Sequence, residues 1–265
     1  MTTATAQQKA APQVRVEPVY VFGCRINDNK FDEGSAAIAT RFHGVTPGTW
    51  NGRNANGYAI PWRNSEGQAL PLRALSEYLT EFLKYAKSNP TVQFRIARFA
   101  CEKDGHKDSV LAPLWRNAPP NCALPAIWQR ELGLSEVAKV LIFDPLARLK
   151  NAAWQDILRR YLVVNLPLWG VTKCEFLSSG GPRDCAFTAN AANDLGYRHR
   201  EIRADPHYYK EQATIASEML AIWHSTHLLS ITDPDQTSVL SHVRILNYAT
   251  RDGLLVDDLS LDGNV

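Results

Sequence analysis

The sequence predicts an α/β protein in two consecutive units, an α/β unit followed by a parallel sheet with helices on both faces. Three observations carry that expectation. Short apolar runs alternate with amphipathic segments through most of the chain. Strands separated by helices need crossover connections, and crossovers make parallel sheets covered on both faces. The 265 residues suffice for one large α/β domain or two ordinary ones, and a charged stretch over 129–138 reads as a connector between two units.

Residues 1–17 form a polar arm, rich in Thr, Ala and Gln. It holds few apolar groups to offset the cost of ordering a backbone, about 1–2 kcal/mol per residue. Val14 and Val16 alternate just before the first strand. The arm is therefore expected to add a strand to the sheet of a neighbouring copy, which makes self-association the expected partner interaction.

The first unit spans 18–130. PVYVFGC reads as a buried strand, and GSAAIATRFHG as a short helix stopped by Gly44. The loop PGTWNGRNANG leads to the strand YAIPW. PLRALSEYLTEFLKYAKSNP is an amphipathic helix, with Leu72, Leu75, Leu79, Phe82, Leu83 and Ala86 at three- and four-residue steps and Pro90 beyond its end. VQFRIARFAC alternates as a strand, and DSVLAPLWRNAP reads as one more short helix. The second unit spans 139–265. Its strands are KVLIFD, CEFLSS, HREIRA, HLLSIT and LLVDDL. Its helices are AAWQDILRRYLV, CAFTANAANDLG, KEQATIASEMLAIWH and SVLSHVRILNYATRDG. Ligands of such sheets bind at the carboxyl ends of the strands.

Composition narrows the function. Hydrophobic residues make up 45% and charged residues 21%, a globular balance. The formal charge is +2, and the basic cluster of Arg198, Arg200 and Arg203 is diffuse, so nucleic acid is not an expected partner. No apolar run reaches the roughly 20 residues that span a bilayer. The polar N-terminus lacks a signal core. A cytoplasmic location without membrane contact is expected. Cys24, Cys101, Cys122, Cys174 and Cys185 are odd in number and form no Cys-x-x-Cys pair, so free thiols are expected and neither a metal site nor a disulfide framework. No Walker-type loop, nucleophile elbow or kinase signature occurs. No catalytic residue and no cofactor is assigned.

The stretch FLSSGGPRDCAFTANAANDLGY, 176–197, reads as a strand, a double-glycine turn and a helix. Such a turn can cradle a phosphate with converging N–H groups. Gly180 and Gly181 supply part of a cradle, and Arg183 can add a charge-assisted contact. Asp184 repels an anion there and suits a helix cap instead. Elsewhere alternatives stay open. Asp104 and His106 read as a proton-transfer pair or an exposed turn. Tyr208 and Tyr209, after Asp205, read as a stacking surface for adenine or ribose, or as a cover for the sheet edge. Asn54 and Asn56 suit a ribose contact or turn chemistry. His224 and His227 flank a helix end.

The second unit is similar to the SLOG superfamily, the Rossmann-like group of DprA and the lonely-guy phosphoribohydrolases, over roughly 139–258. The likeness rests on SSGGPRDCAFTANAA, IRADPHYYKEQATIASEM and HLLSITDPDQTSVLSHVRILNYATRDGLLV. It implies ligand contacts from Gly180, Gly181, Arg183, Asp205, Tyr209 and Thr237. The chain departs from the family where Asp184 and Ala186 replace a further glycine and an acidic residue, and where DPDQTS replaces a glycine-rich turn. The first unit resembles a phage and bacterial family related to macro domains, through VYVFGC, GSAAIATRFHGV, YAIPW and RFACEKDGHKDSVLAPLWRNAPPNCALP. That resemblance implies ligand contacts from Gly34 and Ser35 at the small-residue helix start. Asp32 and Glu33 stand near the family's His-Gly position, and Glu102, Lys103 and Asp104 replace its glycine-rich turn. Together the resemblances imply a non-catalytic binder of a nucleotide or ADP-ribose derivative, such as a phage-encoded sensor or sponge. The other expectation is a structural or assembly protein that keeps degenerate nucleotide-binding folds.

Overall fold

The computed structural model describes residues 17–101, 105–144, 148–169, 171, 173–179, 182–231 and 240–259, with side chains for all of these except 182–184, 240–242 and 258. The chain is α/β, with two five-stranded sheets. The first sheet holds β1 (Val19–Arg25), β2 (Gly52–Asn54), β3 (Gly57–Arg63), β4 (Phe94–Ile96) and β5 (Cys122–Ala123), in the order β2-β3-β1-β4-β5. β1 lies parallel to β3 and β4, β5 parallel to β4, and β2 antiparallel to β3. Around it lie α1 (Gly34–His43), α2 (Leu72–Ser88), α3 (Asp108–Leu111) and α4 (Ala126–Glu131).

Local sequence explains the main elements. The first six residues of β1 are all buried, as a strand covered on both faces must be. α1 stops at Gly44, whose φ of 64° is the left-handed cap that glycine adopts most easily. α2 buries Leu75, Leu79, Phe82 and Ala86, one stripe at four-residue steps with one three-residue step.

The second sheet holds β6 (Val137–Phe143), β7 (Lys173–Ser178), β8 (Arg198–Glu201), β9 (His227–Ile231) and β10 (Leu255–Leu259), all parallel, in the order β10-β9-β6-β7-β8. Counted from β6, the strands stand fifth, fourth, first, second, third, which is the doubly wound order read from its other edge. Its helices are α5 (Ala152–Leu168), α6 (Pro182–Asp194), α7 (Pro206–Tyr209), α8 (Ala213–Trp223) and α9 (Leu240–Arg251). Asn151 caps α5 by accepting the Ala153 N–H at 2.9 Å. Val140, Phe176 and Leu229 face one core; Leu141, Leu177 and Leu228 face another, as alternation along strands requires.

Three expectations needed correction. The strand expected over VQFRIARFAC is only Phe94–Ile96; Ala97 still donates to Val21 O at 2.8 Å, and Ala100, farther on, takes a left-handed φ of 62°. The loop before YAIPW contains β2, which pairs back onto β3. The stretch 129–138 is not a bare connector: it holds the end of α4, anchored by the fully buried Trp128, and the start of β6.

The two sheets are joined by shared packing. Ala204, Tyr209 and Ala216 belong to the same apolar core as β1 and α2. The Trp223 indole donates to the Ile96 carbonyl at 2.7 Å, and Arg41 donates to Gln212 at 2.7 Å. His43 stacks on Tyr20, with ring centroids 4.6 Å apart. Its Nδ1 is buried without a partner. Burial, then the nearby Arg95 charge, holds His43 at about 3, far below its usual 6.5. Between those values the unfolded chain takes up a proton that the folded chain refuses. The stability tied to His43 is thus fully present above pH 6.5 and is lost as pH falls toward 3. His43→Phe keeps the stacking and removes the proton uptake, so its acid-unfolding midpoint by circular dichroism should lie lower than in the parent. An unshifted midpoint would show that His43 does not drive acid unfolding.

Candidate functional site

A polar cleft of about 240 Å³ opens at the carboxyl ends of β1 and β3. Gly23, Cys24 and Arg25 line it from β1, Trp62 and Arg63 from β3, and Asp28, Lys30 and residues 32–36 from the β1–α1 loop and the first turn of α1. The loop is tightly wound: Asn27, Phe31 and Gly34 all take left-handed φ, at 58°, 50° and 54°. For the two non-glycine residues this is strain of about 1–3 kcal/mol each, sustained only where surroundings fix the conformation. Here Phe31 is inserted into the core, edge-on to Phe22 at 5.4 Å. Asp28 Oδ1 accepts the Lys30 and Phe31 N–H groups at 3.2 and 3.4 Å. Ser35 then ties α1 to β1, its Oγ accepting from Gly23 N at 3.0 Å and donating to Gly23 O at 3.3 Å.

The start of α1 therefore faces the cleft in a fixed position. Its cap residue Glu33 makes no side-chain cap bond, which leaves first-turn N–H groups without a side-chain acceptor. The cations are Arg25, 3.7 Å from Asp28; Lys30; and Arg63, which lies over the Trp62 ring at 4.2 Å and donates to Gly67 O at 2.9 Å. Among the described residues Lys30, Asp32 and Glu33 make no side-chain hydrogen bond or ion pair. Cys24 is no nucleophile: burial, then Asp28, pushes its thiol far above the usual range, and it donates to Trp50 O at 3.1 Å.

On the other side of β1, toward β4, the space against Gly23 is filled. The chain leaving β4 lays Phe99 on Gly23 so closely that a Cβ there would meet three Phe99 atoms at 2.7 Å. The crevice of the first sheet is closed toward β4 and open toward β3.

The anticipated ligand residues separate. Gly34 and Ser35 line the cleft, although the Ser35 hydroxyl is spent on Gly23. Asp205 caps α7, accepting the His207 N–H at 2.8 Å, and borders a different groove. Tyr209 lies between the two sheets, its hydroxyl bonded to Glu17 at 3.2 Å and Arg95 at 3.4 Å, with burial pushing it up to about 12. Gly180, Gly181 and Thr237 lie outside the described residues, as do the arm over 1–16 and Asp104. Arg183 and Asp184 stand in the first turn of α6. His106 faces Leu70 O at 2.9 Å. Asn54 braces Thr46 within its loop, and Asn56 donates to the Tyr208 hydroxyl at 3.1 Å, a bond between residues 152 positions apart.

Beside the double-glycine stretch, Ser178 Oγ lies 2.8 Å from His199 Nε2. Ser178 is buried, and burial followed by a bond to Glu201 raises the Cys185 thiol to about 11. At the end of β6 the Asp144 carboxylate accepts the Arg148 and Leu149 N–H groups, each at 2.8 Å, and is thereby committed to structure. Among the described residues no three His, Cys, Asp or Glu side chains gather as a metal site, and no helix is long and apolar enough to cross a membrane. Among the described residues no cysteine is in a disulfide.

No family model, curated protein or solved structure matches the chain. The chemistry of the cleft therefore carries the functional argument, since a fold alone does not specify an activity. Arg25, Lys30, Trp62 and Arg63 were absent from the sequence-derived site. The signal for the two arginines was that VFGCR and YAIPWR each end an apolar strand in arginine; Lys30 had none.

Proposed function

We propose that the protein is a non-catalytic binder of a nucleotide or ADP-ribose-derived ligand, taken up in the cleft between β1, β3 and the start of α1. The observation that carries this reading is the pairing of unengaged opposite charges in one cleft. Lys30 and the N-terminal turn of α1 suit a phosphate. Asp32 and Glu33 suit ribose hydroxyls, the role an acidic residue takes in dinucleotide sites. The absence of an activated nucleophile at Cys24 supports binding without turnover. On this reading the first sheet is macro-like and the second SLOG-like, as the sequence resemblances imply.

The test is thermal stabilisation and calorimetry with AMP, NAD and ADP-ribose. A ligand at 100 times its Kd should add about 2.7 kcal/mol. Lys30→Glu lies on the exposed loop and should leave the unliganded melting temperature unchanged while weakening binding by about tenfold or more. No stabilisation by any of the three ligands at millimolar concentration would reject the reading.

A second reading, a structural or assembly protein, is favoured by α5. Val163 and Leu168 there are 68% and 75% exposed, with Val164 beside them. Apolar side chains gathered on one exposed helix face are a feature of contact surfaces.

A further inference from the structure

A second groove, of about 630 Å³, runs between the two sheets, away from the cleft. Arg95 reaches it from β4, Arg200 and Glu201 from β8, Arg203 and Asp205 from the segment after β8, and His224 from the end of α8. From these residues we infer that the groove binds a small hydroxyl-bearing phosphate monoester, a sugar phosphate in chemical class, through Arg200 and Arg203 with Arg95 at its floor.

The arginines differ in what they have to spare. Arg95 is fixed, its guanidinium engaged by Glu17 at 3.2 Å and Tyr209 at 3.4 Å, so it contributes charge more than donors. Arg200 holds Glu175 through one bond, Nη2 donating to Oε2 at 3.5 Å, and keeps other donors to spare. The Glu175 carboxylate lies 3.4 Å from its Nε, but that buried N–H has no acceptor in hydrogen-bonding geometry. Arg203 holds Glu201 through Nε, and its side chain is 60% exposed, leaving the rest of its fork toward solvent.

The field at the groove floor is positive despite the carboxylates. His224 is pushed down to about 3 by burial first, and then by Arg200, Arg95 and Lys139, with no carboxylate acting in the opposite sense. Lys139 is lowered too, by burial and then Arg200, against a smaller pull from Glu175. A bound anion would relieve this crowding of cations. The volume lies within the usual range for small-molecule sites, about 300–1,000 Å³.

The carboxylates decide the class of anion. Glu201 and Asp205 at the rim would repel a polyanion such as nucleic acid. One phosphate can still sit among the three arginines while the carboxylates accept hydroxyls from an attached sugar. Asp205 has only one oxygen committed, to His207 N. The diffuse alternation of Arg198, Arg200 and Arg203 thus gains a local purpose without requiring a basic protein surface.

The experiment is calorimetric titration of the full chain with ribose 5-phosphate, and with ribose and inorganic phosphate as separate arms. Saturable binding of ribose 5-phosphate is expected, tighter than either arm. Arg203→Glu, on an exposed side chain, and Arg200→Gln should each weaken it by about tenfold or more. Arg73→Glu, on the exposed face of α2 and outside both clefts, should leave it unchanged. The His224 ring should titrate at higher pH when the site is filled, because an anion favours imidazolium. No binding at millimolar ribose 5-phosphate, or binding indifferent to both arginine variants, overturns the proposal. Inorganic phosphate binding as tightly overturns the sugar assignment, and tighter binding of a single-stranded oligonucleotide overturns the small-molecule one.

Discussion

Arg98→Ala should lower the unfolding free energy by about 3–5 kcal/mol, the cost of breaking a buried ion pair by removing one partner. Natural domains hold only about 5–15 kcal/mol in total, so this is a large share. The pair is bidentate: Arg98 Nε donates to Asp108 Oδ1 at 2.8 Å and Nη2 to Oδ2 at 2.6 Å. The Arg98 side chain is 8% exposed, so little water could replace the lost donors. Asp108 would keep only the Trp128 indole, at 2.7 Å, and the Cys101 thiol. The variant would also remove the bond that Arg98 Nη1 donates to the Arg251 carbonyl across the junction of the two sheets. Gly253 shows how closely the guanidinium is packed, since a Cβ there would lie 2.7 Å from its carbon.

Two further measurements separate charge from shape. Arg98→Lys keeps the charge but loses the fork, and should fall between parent and alanine variant. The pH dependence has a definite sign. The Asp108 carboxyl is held below its usual range because the bonds from Arg98, Cys101 and Trp128 and the Arg98 charge together outweigh the opposing effect of burial. Its stabilising contribution is present above the unfolded carboxylate pKa and is lost as pH falls through the folded value. Urea denaturation curves of parent and Arg98→Ala should therefore lie far apart at neutral pH and converge in acid. A gap that stays constant down to acid pH would show that packing, and not the ion pair, is what Arg98 supplies.

The parts of this molecule that could be read from sequence are those whose physics is local. The Gly44 cap, the α2 stripe and the fully apolar β1 follow from residues within one element. β5 has two residues and β2 three, too few to show a period; they exist because β4 and β3 offer them unpaired edges. Tyr209 illustrates the limit for sites. Asp205 is its neighbour in sequence, but its hydroxyl partners Glu17 and Arg95 lie 192 and 114 positions away. Arg25 and Arg63 come together only because β1 and β3 are paired and their register shifts by one residue after Cys24. Gly34 and Ser35 were legible because a small-residue helix start is itself a local signal. The side of β1 on which a cleft opens was not, because Phe99 decides it from another strand.

That role of Phe99 gives the second large effect. Gly23→Val should destabilise the protein by about 1–3 kcal/mol or more, although valine suits a strand better than glycine. The added Cβ would overlap Phe99 Cβ, Cγ and Cδ2 at 2.7 Å. The ring has nowhere to retreat. Trp115 and Trp128 stand edge-on to it, each with its ring centroid at 6.2 Å, and they stack on each other at 5.7 Å. All three rings are buried. Phe99→Ala should cost about 3–5 kcal/mol by leaving a cavity beneath the same two tryptophans. The double variant tests the contact itself. If Gly23 and Phe99 compete for one space, valine at 23 partly fills the cavity left at 99. The combined loss should then be smaller than the sum of the single losses by about 0.5–3 kcal/mol. Strict additivity in urea denaturation would mean that the two positions act independently, and the closed side of the crevice would need another explanation.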